Sequence, residues 1–173
     1  MLQCAQDNSC TSAALEYAID KSINGLPQEA DYPYNPYTNY PNICSANQLV
    51  STANSKRITL RNASDAQIIS MLQTGPVAAV VSTQDWERYV SGVISCPSNA
   101  NYDHAVLIVG YTSAYWIVKN SWGSNYGLNG YVHVERNRNN NCQIHKAVSL
   151  VTLGESYIMV CFILTLALLM IVY

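Results

Sequence analysis

Two side chains with catalytic potential stand 16 residues apart, His104 in Asp103-His104-Ala105-Val106-Leu107-Ile108-Val109-Gly110-Tyr111 and Asn120 in Lys119-Asn120-Ser121-Trp122-Gly123. Imidazole takes up and returns protons near neutral pH, and it needs a second group to fix its tautomer and ring orientation. A side-chain amide can do that through its carbonyl oxygen. Such a pair serves a nucleophile, and a cysteine thiol gains most, because the thiol is weak until an imidazolium stabilises the thiolate. Which cysteine could fill that role is the question the sequence poses.

The surrounding residues read as strands. Apolar runs rich in β-branched residues occur at Val77 to Val81, Ala105 to Tyr111, Tyr115 to Lys119 and Tyr131 to Arg136, separated by Gly/Asn/Ser-rich turns. Arg57 to Leu60 is a further short alternating segment. His104 and Asn120 therefore fall at the ends of neighbouring strands. Ser64 with Gln67 three positions on forms a capping box, predicting a helix that runs to Thr74 and stops at Gly75-Pro76. Ala13 to Ile23 has apolar residues at helical spacing and ends at Asn24-Gly25. The Pro/Tyr/Asn-rich stretch from Pro27 to Pro41 reads as an ordered loop, and Asn137 to Asn141 as a polar turn. Helices first and antiparallel strands after predict an α+β fold.

Composition narrows the functional classes. The formal charge is −2, and only 12% of residues are charged. With no Lys/Arg stripe, nucleic acid has no electrostatic footprint to bind. The six cysteines (Cys4, Cys10, Cys44, Cys96, Cys142, Cys161) lack paired CxxC spacing, so no metal site is expected, and their contexts favour disulfides in an oxidising compartment. No cofactor motif is present. Asn62-Ala63-Ser64 is an N-glycosylation sequon, a pattern that also recurs by chance. Tyr157 to Tyr173 contains no charged residue and shows no polar face. It stands at the short limit, about 17 residues, of a bilayer-spanning helix. A single-pass anchor is favoured there over a GPI signal, which needs a longer polar spacer, and over an error in the last exon.

These motifs, in this order, resemble the papain-like cysteine peptidases, the cathepsin L-like family of plant papain and animal cathepsins. The resemblance runs from Leu2 to about Leu150. It rests on Leu2-Gln3-Cys4, Glu29-Ala30-Asp31-Tyr32-Pro33-Tyr34, Gly75-Pro76-Val77, His104-Ala105-Val106, Lys119-Asn120-Ser121-Trp122-Gly123 and Tyr126-Gly127 through Gly130-Tyr131. It implies a two-lobed α+β fold. Residues 1–56 would be the remnant of the helical lobe and 157–173 a C-terminal hydrophobic helix. Residues 57–153 would be an antiparallel, barrel-like β lobe carrying the site.

The resemblance also assigns roles. His104 and Asn120 become catalytic, with Trp122 lying over their contact and excluding water. Ala14, Leu15, Val80, Tyr102, Asp103 and Ala147 become substrate-binding; their largely aliphatic character favours a hydrophobic side chain two residues before the cleaved bond. Cys4 is paired with Cys44 and Cys96 with Cys142, leaving Cys10 unpartnered. His133 and His145 are expected to be satisfied structural residues. The family's nucleophile lies in a Cys-Gly-Ser-Cys-Trp stretch ~130 residues before the histidine. No cysteine here precedes Trp or Tyr, and Cys96 sits in a loop before Pro97.

The nucleophile and the oxyanion glutamine are therefore expected upstream of Met1, and the chain as written is expected not to hydrolyse peptides. Two departures bear on function: Cys10-Thr11-Ser12-Ala13 replaces the family's Cys-x-Gly-Gly, and Gln143 stands where glycine is usual. Two readings result. One is the C-terminal portion of a monomeric endopeptidase of the secretory pathway, lysosomal, vacuolar or extracellular, with peptide substrates and a propeptide or protein inhibitor as partners. The other is a non-catalytic, membrane-tethered homologue with a binding or regulatory role.

Overall fold

The computed structural model describes residues 15–17, 19–20, 55–96, 101–136 and 141–152. Ala14, Cys4, Cys10, Cys44 and the apolar segment 157–173 lie outside them. Among the described residues no helix is long and apolar enough to cross a membrane.

Six strands, β1 (Lys56–Arg61), β2 (Val77–Val81), β3 (His104–Tyr111), β4 (Tyr115–Lys119), β5 (Tyr131–Glu135) and β6 (Ala147–Thr152), form one antiparallel sheet in the order β1-β6-β2-β3-β4-β5. β1 and β5 are its edges. Beyond β5, Ile94 adds a single parallel bridge to Val134; the antiparallel pairing is the one the resemblance implies for the β-rich lobe. Strands β4 and β5 alternate buried and partly exposed residues with the period of two that a sheet imposes. The central strand β2 is buried nearly throughout.

One face of the sheet carries the core. Val77, Ala79 and Val81 of β2, Ile108 of β3, Trp116 and Val118 of β4, and Val132 and Val134 of β5 are almost completely buried there. Each large aliphatic side chain so removed from water contributes roughly 1.5–3 kcal/mol. Helix α1 (Asp65–Leu72) closes this face with Ile68 and Met71. Its capping box forms as expected, with Gln67 N–H donating to Ser64 Oγ and Ser64 N–H donating to the Gln67 side chain. The helix stops at Leu72 rather than Thr74, because Thr74 and Gly75 N–H both donate to the Met71 carbonyl and tighten the last turn ahead of Pro76.

Two short 3₁₀ turns, Trp86–Arg88 and Asn141–Gln143, flank the core. Asn141 opens the second of these turns and is buried; the rest of the polar stretch 137–140 lies outside the described residues. Asn141 Oδ1 accepts Cys96 N–H at 2.6 Å and its Nδ2 donates to the Glu135 carbonyl at 3.0 Å. Beside it, Cys96 and Cys142 form a disulfide with Cα atoms 4.6 Å apart. That pairing agrees with the one implied above and removes Cys96 as a nucleophile.

Candidate active site

The antiparallel register assembles the site at one end of the sheet. Val81 of β2 lies opposite His104, the first residue of β3. Asn120 follows β4 directly, and its N–H donates to the Gly130 carbonyl at 2.9 Å, which anchors it to the turn leading into β5. The two side chains meet: His104 Nε2 is 2.8 Å from Asn120 Oδ1. The Ser121 backbone N–H donates to the same Oδ1, also at 2.8 Å. A backbone N–H can only donate, so this atom must be the amide oxygen, and His104 Nε2 must carry the hydrogen. Nδ1 is thereby left as the nitrogen that can accept a proton from a nucleophile or return one to a leaving group.

Trp122 lies beside the pair, its ring centroid 5.3 Å from that of His104, and 39% of its surface is exposed. Tyr126 packs edge-on against Trp122 at 4.8 Å, and its hydroxyl donates to the Trp86 carbonyl at 2.7 Å. Burial, and then the neighbouring Tyr89, push the Tyr126 phenol up to about 12, while the Asn120 side chain pulls the other way. Asn120 itself is 9% exposed. Among the described residues its buried Nδ2 makes no hydrogen bond of ordinary geometry, while its oxygen serves both His104 and Ser121.

The turn that carries Trp122 and Tyr126 depends on Gly127. Its φ is +52°, and a Cβ there would stand 2.7 Å from the Tyr131 carbonyl oxygen and 2.9 Å from the Tyr89 ring. Only glycine satisfies both the left-handed backbone and the close approach.

The expected substrate-contacting positions divide. Arg61 pairs with Ala147 and Val80 with Ala105, and continuing the β2–β6 register from Ala79↔Val148 sets Val80 beside Ala147. Arg61, Ala147, Val80 and Ala105 thus form one row on the sheet face opposite the core, next to the His104 end. Val80 and Ala147 are buried, and Ala105 is exposed. Ala105 was not singled out from sequence; the strand register alone sets it beside His104 and across from Val80.

Leu15 is helical and partly buried. Its neighbours fasten to the outer end of that row. Glu16 reaches Arg61 at 2.6 Å and Arg57 at 3.4 Å, and Asp20 reaches Arg57 at 2.7 Å. The Asp20 hydrogen bond holds the Arg57 guanidinium above its ordinary pKa against the opposing effect of burial. Tyr102 is partly buried, and Asp103 is exposed. The Asp103 carboxylate accepts both Thr83 N–H and Thr83 Oγ–H at 2.9 Å. It borders a shallow polar cavity of about 340 Å³ that also includes Gln84, Asp85, Glu87 and Arg88.

The other two histidines have contacts away from this pair. His145 donates from Nε2 to Asp65 at 2.7 Å, and His133 stacks on Tyr115 at 4.2 Å. Among the described residues no group of three His, Cys, Asp or Glu is placed to hold a metal ion.

Comparison with known proteins gives the family. The family model described as "Papain family cysteine protease" matches residues 1–152. Cysteine proteinase 5 of Dictyostelium discoideum is 32% identical over 86% of this chain and 52% of its own length. The viral cathepsin of Mamestra configurata nucleopolyhedrovirus is 35% identical over 83% of this chain and 44% of its own. Among solved structures, digestive procathepsin L 3 from Tenebrio molitor larval midgut superposes with a TM-score of 0.68 at 34% identity, covering 82% of this chain and 48% of that one. The Carica candamarcensis cysteine protease CMS1MS2, solved in complex with E-64, gives a TM-score of 0.67 at 26% identity, over 80% and 67%. The chain spans about half the length of the curated relatives it matches. This chain belongs to the papain family of cysteine proteases.

Proposed function

We propose that the chain supplies the general acid–base half of a cysteine endopeptidase, with His104 and Asn120 acting on a thiolate that none of its six cysteines provides. The observation that supports this most directly is the shared Asn120 oxygen. By accepting from both His104 Nε2 and Ser121 N–H, it leaves His104 Nδ1 as the proton-exchanging atom. In peptide-bond hydrolysis Nδ1 would take the thiol proton, and the imidazolium would return it to the departing amine. Trp122 supports the pair by shielding it. Cys96 and Cys142 are bonded to each other, and no cysteine in the sequence precedes Trp or Tyr.

On this reading residues 57–153 are the lobe that carries the pair, 1–56 belong to the helical lobe, and 157–173 form a membrane anchor. The protein is a monomer of the secretory pathway, lysosomal, vacuolar or extracellular. Its substrates are peptides with a hydrophobic side chain two residues before the cleaved bond, lodged against Val80, Ala147, Leu15, Ala14, Tyr102 and Asp103. Cys4–Cys44 forms a second disulfide. A propeptide or protein inhibitor occupies the same cleft, as the procathepsin and E-64 complexes among the similar structures suggest.

The test compares two products on a fluorogenic peptide with a hydrophobic residue at that position. The chain alone is expected to give no hydrolysis that a thiol-alkylating reagent abolishes. A product extended in frame by a Cys-Gly-Ser-Cys-Trp segment is expected to cleave, and His104→Ala in it to abolish cleavage. Alkylation-sensitive hydrolysis by the chain alone would sink the proposal. An extended product that binds peptides without cleaving them would favour the non-catalytic, membrane-tethered reading.

A further inference from the structure

The connection between β1 and α1 carries a chemical feature that the peptidase reading leaves unused. Asn62-Ala63-Ser64 is the one Asn-x-Ser/Thr triplet in the sequence. Asn62 stands exposed at the corner where β1 ends. Its backbone is held, with its N–H donating to the Lys146 carbonyl at 3.1 Å. Ala63 is held too: it is 4% exposed, and its N–H donates to the His145 carbonyl at 2.9 Å. The corner is therefore fixed on both sides of a side-chain amide that faces solvent. The disulfide Cys96–Cys142 is an independent observation. A cystine buried in the core belongs to a protein folded in an oxidising compartment, and N-linked sugar transfer belongs to that same passage.

We propose that Asn62 carries an N-linked oligosaccharide, transferred from a lipid-pyrophosphate-linked sugar donor. The Asn62 Nδ2–C1 bond to the first sugar forms as the C1–oxygen bond to pyrophosphate breaks. The lipid pyrophosphate leaves with the bonding electrons, and the amide proton passes to a base of the transferring enzyme. The fold also dictates when this happens. The acceptor pattern requires the Ser64 hydroxyl, yet in the folded chain that oxygen is the N-cap of α1, accepting Gln67 N–H at 3.3 Å and lying 3.1 Å from Gln67 Oε1. Asn62 is meanwhile fixed at φ 50°. Transfer therefore precedes closure of the capping box, and the folded corner then presents the finished glycan to solvent.

A competing explanation is that Asn62 is present only because asparagine tolerates a left-handed backbone. Two variants separate the explanations. Asn62→Gly keeps the left-handed corner and removes the acceptor, whereas Ser64→Thr keeps both the acceptor hydroxyl and the cap. The full chain, directed into the secretory pathway of a eukaryotic host, is recovered from microsomes and medium together and run on a gel before and after peptide N-glycosidase. The parent chain and Ser64→Thr should each show one slow band that collapses on digestion, and digestion should convert position 62 to aspartate in the peptide mass. Asn62→Gly should run at the collapsed position with unchanged thermal stability. A parent chain that reaches microsomes but runs without a digestible band would overturn the proposal, as would a digestible band in Asn62→Gly. Folded chain made without sugar, offered to solubilised transferase and donor, should accept less than one-tenth of the label taken up by the same chain denatured. Equal labelling of the two would refute the order of events.

Discussion

His104 Nε2 and Asn120 Oδ1 lie 2.8 Å apart, and a backbone N–H fixes the identity of that oxygen. The asparagine thus selects the histidine tautomer through an atom whose assignment is not free. Replacing Asn120 with Ala removes the acceptor while leaving the Gly130 anchor to its backbone intact. In nitrogen-detected NMR of the labelled chain, His104 should carry its hydrogen on Nε2 in the parent protein and populate both tautomers in Asn120→Ala. In a product that cleaves peptides, the same change should lower kcat by about 100-fold, the lower end of the range general acid–base catalysis contributes, with little change in KM. Retention of a single Nε2–H tautomer in the variant would show that Asn120 does not orient the ring.

Gly127 governs the turn beneath Trp122 and Tyr126. Alanine there meets a left-handed φ together with a backbone oxygen at 2.7 Å, so the turn itself must shift. We expect Gly127→Ala to destabilise by about 1–3 kcal/mol and to alter Trp122 fluorescence. Gly123→Ala, which also has positive φ but open space around the added carbon, should cost less. Equal losses in urea unfolding would mean that the close approach contributes nothing beyond backbone strain.

How far the sequence revealed this arrangement depended on whether a signal was local. His104, Asn120 and Trp122 could be placed because each sits in or beside a strand that shows as an apolar, β-branched run within a few residues. Helix α1 was equally visible, with a capping box at one end and Gly75-Pro76 at the other. Strand β6 was not. Its partners are β1 and β2, so that Ser149 meets Thr59 across 90 residues of chain, and its own run is short. Ala105 escaped notice for a related reason, since only the strand register sets it opposite Val80. The burial of Asn141 was not legible, because a polar residue among asparagines carries no local sign of it. In the fold its amide replaces backbone partners for Cys96 and Glu135, which is what permits its burial.

Asp65 ties three elements together. One carboxylate oxygen accepts from Arg136 Nε at 2.6 Å and the other from His145 Nε2 at 2.7 Å. Arg136 in turn donates to the Thr112 carbonyl and lies over the Trp116 ring at 5.1 Å. A first-turn acid acting only on the helix dipole is worth about 0.3–1 kcal/mol, whereas charge-assisted hydrogen bonds are worth about 1.5–3 kcal/mol. Asp65→Ala should therefore cost about 2–3 kcal/mol in urea unfolding. Asp65→Ala combined with His145→Ala should cost less than the two single losses added together. A loss within the dipole range, or strict additivity, would reduce the cluster to unrelated contacts.

Tyr126 gives the fold an alkaline signature. Its phenol titrates at about 12 in the folded chain, chiefly because burial disfavours the phenolate, against an ordinary value of 10.0. Above pH 10 the unfolded chain loses this proton while the folded chain keeps it, so the unfolded state binds fewer protons. Stability then declines as pH rises. The contribution is fully present below pH 10 and is lost between about pH 10 and 12. Tyr126→Phe removes the titration along with the hydrogen bond to the Trp86 carbonyl. Its unfolding free energy should lie below that of the parent chain at pH 8 and converge toward it as pH approaches 11, with the other tyrosines common to both. A difference that stays constant across this interval would show that the Tyr126 hydroxyl titrates no differently in the folded and unfolded states.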